Sequence, residues 1–386
     1  MADSIVSKVA AETAETTIRY SAGRGAAALI LAMGIGRFAF TPLLPPMQME
    51  AHFSDSAAGL LASANLFGYL FGALLAGRLD HAWRLRAYRL SLAIAVLANL
   101  LMAAPLDLFG WSLVRGAAGV SSGLIFVLAT AFVLEHRGHA ALHFTGVGLG
   151  IILSCRVAAL VPGWRMAWII LAALSLLLAL PAAGLSGTAR DGAHHAVRQP
   201  LVWNRPFAWL TAAYALQGLG YIITGTFLVA ILHGLPATAG LGAWAWIFVG
   251  IGALPSAILW AHLAGRIGSW RALAAAYAVQ AVAIVLPFTG SATAALTSAV
   301  LFGGTFIGIT SVSLTLAAHL RPAQAGQAVA MPTIVYGIGQ AIGPLLAGVA
   351  AQVAKGFALP LAIAAILVAV SSLLSLVGER SARGAK

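Results

Sequence analysis

The chain has 386 residues, of which 61% are hydrophobic and 8% charged, and its mean hydropathy is +0.95. A water-soluble domain carries about 25% charged residues, so this composition excludes a protein surrounded by water and places the chain in a bilayer. The single cysteine excludes an intrachain disulfide framework and a cysteine-built zinc or iron–sulfur site, and the net charge of +12 makes the location of the basic residues the next question.

A spanning helix needs about 20 predominantly apolar residues, and the sequence offers twelve such stretches. In chain order the first six are predicted at 26–48, 56–78, 85–104, 108–134, 142–161 and 166–185, and the second six at 206–232, 240–262, 272–288, 292–320, 328–352 and 357–377. No segments of about ten residues alternate apolar and polar, as a membrane barrel requires. Residues 1–25 carry Asp3, Lys8, Glu12, Glu15, Arg19 and Arg24 without an apolar core, and read as a cytoplasmic tail, not a cleavable signal. Residues 186–205 form a polar linker between two six-helix halves, 26–185 and 206–377, and 378–386 form a second cytoplasmic tail. The linker's His194 and His195 read as solvated loop residues. No metal or cofactor is expected.

Of the 22 basic residues, only Arg165 and Lys355 fall in loops on the side opposite the termini, while Arg37, Arg115 and Arg156 lie inside spans. The rest cluster on the side of the termini, which places both termini in the cytoplasm of a bacterial inner membrane protein. Charge spread along a membrane face in this way suits lipid headgroups and not nucleic acid. The two halves also repeat. Leu75-Ala76-Gly77-Arg78 returns as Leu263-Ala264-Gly265-Arg266, shifted by 188, and Gly34-Ile35-Gly36 returns as Gly218-Leu219-Gly220, shifted by 184. Two parallel repeats of six spans match one known architecture of secondary transporters.

Over nearly its whole length the chain resembles the major facilitator superfamily. Gly77-Arg78-Leu79 with Arg84 and Arg86, and Gly265-Arg266-Ile267-Gly268 with Arg271, are similar to that family's basic loop motif, although glycine stands at the position of the family's aspartate. Arg115, Gly119 and Gly123 resemble its Arg-Gly-Gly motif, and Gly337, Gly339, Gly343 and Pro344 its Gly-Pro packing motif. The run Gly34-Ile35-Gly36-Arg37-Phe38-Ala39-Phe40-Thr41-Pro42-Leu43-Leu44-Pro45 is similar to the first-span signature of the YbfB/YjiJ branch. The resemblance implies an all-α integral membrane fold of twelve helices, alternating access, and gating or helix-packing roles for Gly77, Arg78, Gly119, Gly123, Gly265, Arg266, Gly343 and Pro344.

Charged side chains inside a membrane are costly and usually mark a pathway or a partner. The ten acidic residues all lie in tails, loops or span edges, so the interior arginines have no carboxylate within the spans to neutralise them. Arg37, near the middle of span 1 with Thr41 at i+4 and Gln48 at i+11, is the principal candidate to hold an anion, since a guanidinium grips carboxylate or phosphate with two prongs. Arg115 shares a face with two glycines and is assigned to bracing or substrate contact, whereas Arg156 is placed to snorkel toward the headgroups. Polar stripes complete the candidate site: Asn65 and Tyr69 in span 2, Gln217, Tyr221 and Thr224 in span 7, and Thr333, Tyr336 and Gln340 in span 11. Trp244 and Trp246 read as interfacial anchors. No catalytic motif is present, so the expected activity is transport of a small organic anion and not enzymatic. The alternative is broad-specificity efflux of hydrophobic or drug-like compounds. Proton coupling is left open, with Asp55, Asp107 and His319 at span edges as candidates.

Overall fold

The computed structural model describes residues 21–136, 140–187, 202–233 and 242–384. Among them the regular structure is helical throughout. The twelve helices are α1 (Ser21–Ala51), α2 (Asp55–Ala76), α3 (His81–Leu101), α4 (Leu108–Glu135), α5 (Ala140–Leu160), α6 (Trp164–Ala183), α7 (Arg205–His233), α8 (Gly242–Ile267), α9 (Ser269–Val285), α10 (Ala292–Leu320), α11 (Ala325–Ala354) and α12 (Ala358–Arg383). Eleven are long and apolar enough to cross a membrane by themselves. The exception is α3, whose first turns carry Arg84, Arg86 and Arg89. Most of the predicted linker, with His194 and His195, lies outside the described residues.

Helix starts follow local chemistry. Ser54 Oγ accepts from Ala57 N at 3.3 Å, Asp107 Oδ1 from Gly110 N at 2.7 Å and Asn204 Oδ1 from Phe207 N at 3.0 Å, each satisfying a donor the helix cannot pair internally. The chain is already helical at Ser21, five residues before the predicted start of the first span, and within this stretch Arg24 Nη1 donates to Gly184 O at the end of α6, 3.0 Å away.

Within α1 the helix changes pitch. Residues Ile30–Ile35 form a π-helix, in which Gly36 N donates to Leu31 O at 2.9 Å and Phe38 N to Met33 O at 3.0 Å. One main-chain oxygen at this break is held from a neighbouring helix, Arg115 Nη1 donating to Gly36 O at 3.2 Å, while Ser154 Oγ, which donates to Gly150 O of its own helix at 2.6 Å, lies 3.0 Å from Gly34 O. Such breaks are uncommon and are frequently found at functional positions. Arg37 follows the break directly.

Contacts between helices obey the internal repeat. α2 packs on α4 as α8 packs on α10, α1 on α5 as α7 on α11, and α3 on α6 as α9 on α12. Across the two halves, α2 meets α11, α5 meets α8, and α1 meets α7. The close approaches repeat at one offset. A methyl group on Gly119 would sit 2.0 Å from Asn65 O, and one on Gly303 would sit 2.0 Å from Val249 O, each residue being the other pair's counterpart 184 positions along. Only glycine lets the backbones approach so closely. Gly343 and Pro344 lie on α11, and a methyl on Gly59 of α2 would meet Pro344 O at 2.3 Å, so this predicted packing motif sits at the joint between the halves.

Candidate substrate site

Arg37 and Arg115 line one small cavity of about 20 Å³ between α1, α2, α4 and α7. A cavity needs roughly 10–15 Å³ to admit a water molecule, so the space between the arginines is closed to little more than that. Phe38, Phe40, Thr41 and Asn65 line it from the first half, and Ile222, Gly225 and Thr226 from the second. The lining contains no carboxylate.

The two arginines are held differently. Arg115, 3% exposed, donates from Nη1 to Gly36 O and from Nε to Leu61 O at 3.4 Å, and its guanidinium lies 4.4 Å from the Phe40 ring centre. Asn65 Nδ2 donates to Arg115 O at 3.1 Å, tying α2 to the same point. Arg37, 8% exposed, has a longer contact of 3.4 Å from Nη2 to Tyr221 Oη, and its Nε has no hydrogen-bond partner. Its guanidinium lies between the rings of Tyr69 and Phe38, at 5.1 and 5.2 Å from their centres. Main-chain oxygens therefore fix Arg115, while Arg37 is surrounded by aromatic faces and one hydroxyl. Thr41 Oγ1 donates to Gly225 O at 2.9 Å.

On the second half, Gln340 Nε2 donates to Tyr221 Oη. Tyr221 is stacked near Tyr336 with ring centres 5.8 Å apart, and Tyr336 stacks on Tyr214 at 4.1 Å with an interplanar angle of 7°. Phe302 and Phe306 flank Tyr221, each 6.1 Å away. The structure thus brings Arg37, Thr41, Asn65 and Arg115 to one cavity, with Tyr69 and Tyr221 against Arg37 and with Tyr336 and Gln340 against Tyr221. Gln217 is directed elsewhere: its Nε2 donates to Gln280 Oε1 of α9 at 2.9 Å, and Gln280 donates onward to Thr305. Gln48 pairs with Asp55 at the helix end, and Thr333 bonds to its own helix at Val329 O.

Tyr214 and Phe306 are additions to the sequence-derived set. Tyr214 lies seven residues before Tyr221, two helical turns along the same face, a spacing that identifies it in retrospect. Trp246 departs from its expected interfacial position: it is 1% exposed and packs 6.2 Å from Phe38, while Trp244 is 46% exposed. Residues two apart on a helix point about 200° from each other, so only one of the pair can face lipid. Gly77, Arg78, Gly265 and Arg266 lie exposed at helix ends away from the cavity, with open space beside Gly265. Arg156 is exposed on α5. A larger cavity of about 560 Å³ lies between the end of α12 and the start of α7, lined by Arg205, Trp209 and Arg380, and is separate from the arginine pair.

A helical membrane bundle built from two parallel six-helix repeats, with buried polar groups collected where the repeats meet, defines a secondary transporter. The family described as "Uncharacterised MFS-type transporter YbfB" matches residues 29–376, and the chain belongs to this family of the major facilitator superfamily. It is a multi-pass membrane protein. Solved structures with the same fold include the nucleoside transporter NupG (D323A mutant), 18% identical with a TM-score of 0.72, covering 94% of this chain and 100% of that one. A bacterial homologue of the human lysosomal transporter Spinster, inward-facing and occupied, is 14% identical with a TM-score of 0.71, covering 92% and 96%. A D-xylose–proton symporter is 14% identical with a TM-score of 0.70, covering 92% and 97%. No curated protein matches the sequence significantly.

Proposed function

We propose that the protein carries small organic anions across the bacterial inner membrane by alternating access, with both termini in the cytoplasm and the halves 26–185 and 206–377 rocking about the arginine cavity. The observation that carries this reading is the pair of guanidinium groups lining one cavity without a lining carboxylate. A charged arginine at mid-bilayer depth costs about 2.5–3.5 kcal/mol on insertion scales, and a bound carboxylate or phosphate offsets that cost. Arg37 is the anchor, because its Nε is unpartnered and its one hydrogen bond is long. Arg115 supports the site through α1 and α2. The stacked rings of Tyr214, Tyr336 and Tyr221 suit an apolar or aromatic body on the anion. The fold shared with a proton symporter is compatible with proton coupling.

Uptake of radiolabelled benzoate into proteoliposomes tests the proposal, with and without an imposed pH gradient. The expected result is saturable uptake, competed by other carboxylates but not by nucleosides or xylose, and lost in Arg37→Gln. Full uptake by that variant at normal insertion would overturn the assignment of Arg37.

A further inference from the structure

His143 is a titratable side chain buried within the described spans, at 0% exposure, in a region without a role in the arginine cavity. It sits near the start of α5, against α4 and the first turns of α1. Its Nε2 lies 2.9 Å from Thr130 Oγ1. Thr130 has one hydroxyl proton, and its Oγ1 already donates to Phe126 O at 2.6 Å. The hydroxyl must therefore accept from the imidazole, which places the ring proton on Nε2 and leaves Nδ1 as the bare nitrogen. Nδ1 has no hydrogen-bond partner. It faces the main chain of Gly25, so closely that a methyl group there would lie 2.5 Å from it.

The neighbouring charged and titratable groups are otherwise engaged. On α1, Arg24 donates to Gly184 O. On α4, Glu135 pairs with Arg84 at 3.0 Å, and His136 Nδ1 lies 2.8 Å from its own helix at Phe132 O. Phe144 of α5 packs on the ring, and Val133 of α4 flanks Gly25.

We infer that His143 is a proton-binding site that drives the conformational cycle through α1. A proton taken at Nδ1 creates a second N–H whose acceptor within reach is the main chain of α1 at Gly25. The bare Nδ1 thereby changes from an unpaired acceptor beside Gly25 to a donor bonded to it, and this new bond draws on the first turns of α1. Between Gly25 and Arg37 lies the π-helix Ile30–Ile35, where the helix can change pitch without breaking. The displacement is thereby delivered to Arg37 and to the Gly36 O held by Arg115. Burial keeps the ring neutral until that bond forms, because an unpaired imidazolium is costly there.

This inference rests on the transporter reading but is tested without any substrate. Spin labels at Trp83→Cys on α3 and Ile267→Cys on α8, both exposed helix ends in different halves, report the opening of the terminal face in nanodiscs at pH 4.0 and 8.0. Cys155 is buried and stays unlabelled. The distance distribution should change with pH in the parent protein, and His143→Gln should reduce that change at least fivefold. Thr130→Val, which removes the Nε2 acceptor but keeps the imidazole, should move the pH midpoint while preserving the amplitude, and decides the matter if His143→Gln does not fold. A pH-independent parent, or wild-type profiles in both variants, would overturn the inference. Benzoate uptake failing while the pH response persists would remove the substrate proposal alone.

Discussion

Arg37 and Tyr221 are counterparts in the internal repeat, 184 residues apart, and they touch each other at the junction of the two halves. Thr41 and Gly225 are related by the same offset and also touch. The two first helices of the repeats therefore meet along their shared axis, and the contact is made between unlike residues. One half contributes a charge and the other a hydroxyl within an aromatic stack. The counterpart of Arg115 is Ala299, so the second half has neither arginine. The site is asymmetric although the scaffold is not.

Tyr221 Oη accepts from both Arg37 and Gln340. Tyr221→Phe keeps the ring stack and leaves two buried donors without their acceptor, at a cost of about 1–3 kcal/mol. The expected outcome is a KM for benzoate raised roughly tenfold, the equivalent of about 1.4 kcal/mol, with correct insertion and a preserved maximal rate. Proteoliposome kinetics measure both.

Arginine-to-lysine replacements should separate the two cavity arginines. Lysine keeps the charge but loses the planar fork. At Arg115 the fork spans Gly36 O and Leu61 O over the Phe40 ring, so Arg115→Lys should melt several degrees lower while retaining uptake. Arg37→Lys should melt like the parent and lose most benzoate uptake. Thermal melts in detergent, read alongside transport, check the contrast.

The fold was legible where physics is local and the site only where it is periodic. Apolar runs mark the spans, and the glycine repeats mark the crossings, because close backbone approach leaves one residue type. The cavity followed from Arg37, since an uncompensated charge in an apolar run stands out. The π-helix before Arg37 did not follow, because Ile30–Ile35 reads as ordinary apolar helix and the arginine that bonds Gly36 O at its end comes from another helix. Gln217 and Tyr221 are four residues apart and share a stripe in sequence, yet Gln217 bonds to α9. A stripe on a helix enclosed on all sides names a face without naming which neighbour it meets.

Gly119 and Gly303 provide a test of the scaffold independent of transport. A larger side chain at either position meets a main-chain oxygen of the facing helix, and overpacking costs typically about 1–3 kcal/mol or more where backbone must move. Gly119→Leu and Gly303→Leu should each reduce the yield of monodisperse protein and lower its melting temperature. Gly265→Leu, with open space around it, should match the parent on both counts by size-exclusion chromatography and thermal melting.

The hydrogen bonds that cross between the halves point to a bias in the conformational equilibrium. Arg37 to Tyr221 and Thr41 to Gly225 O lie near the centre, and Leu345 N donates to Ser63 Oγ at 3.0 Å nearer the face opposite the termini. On that same face the Gly348 position of α11 presses on Asp55 O of α2. On the alternating-access reading proposed above, these contacts favour a closed far face. Each hydrogen bond is worth about 0.5–1.5 kcal/mol net, so removing Thr41 Oγ1 and Ser63 Oγ together should shift the closed-to-open ratio by roughly tenfold. In Thr41→Val/Ser63→Ala, spin labels at Met49→Cys on α1 and Val353→Cys on α11, both exposed near the far face, should show a new longer-distance population. A distribution identical to the parent's would mean that helix packing alone, through the glycine contacts of α2 and α11, keeps that face shut.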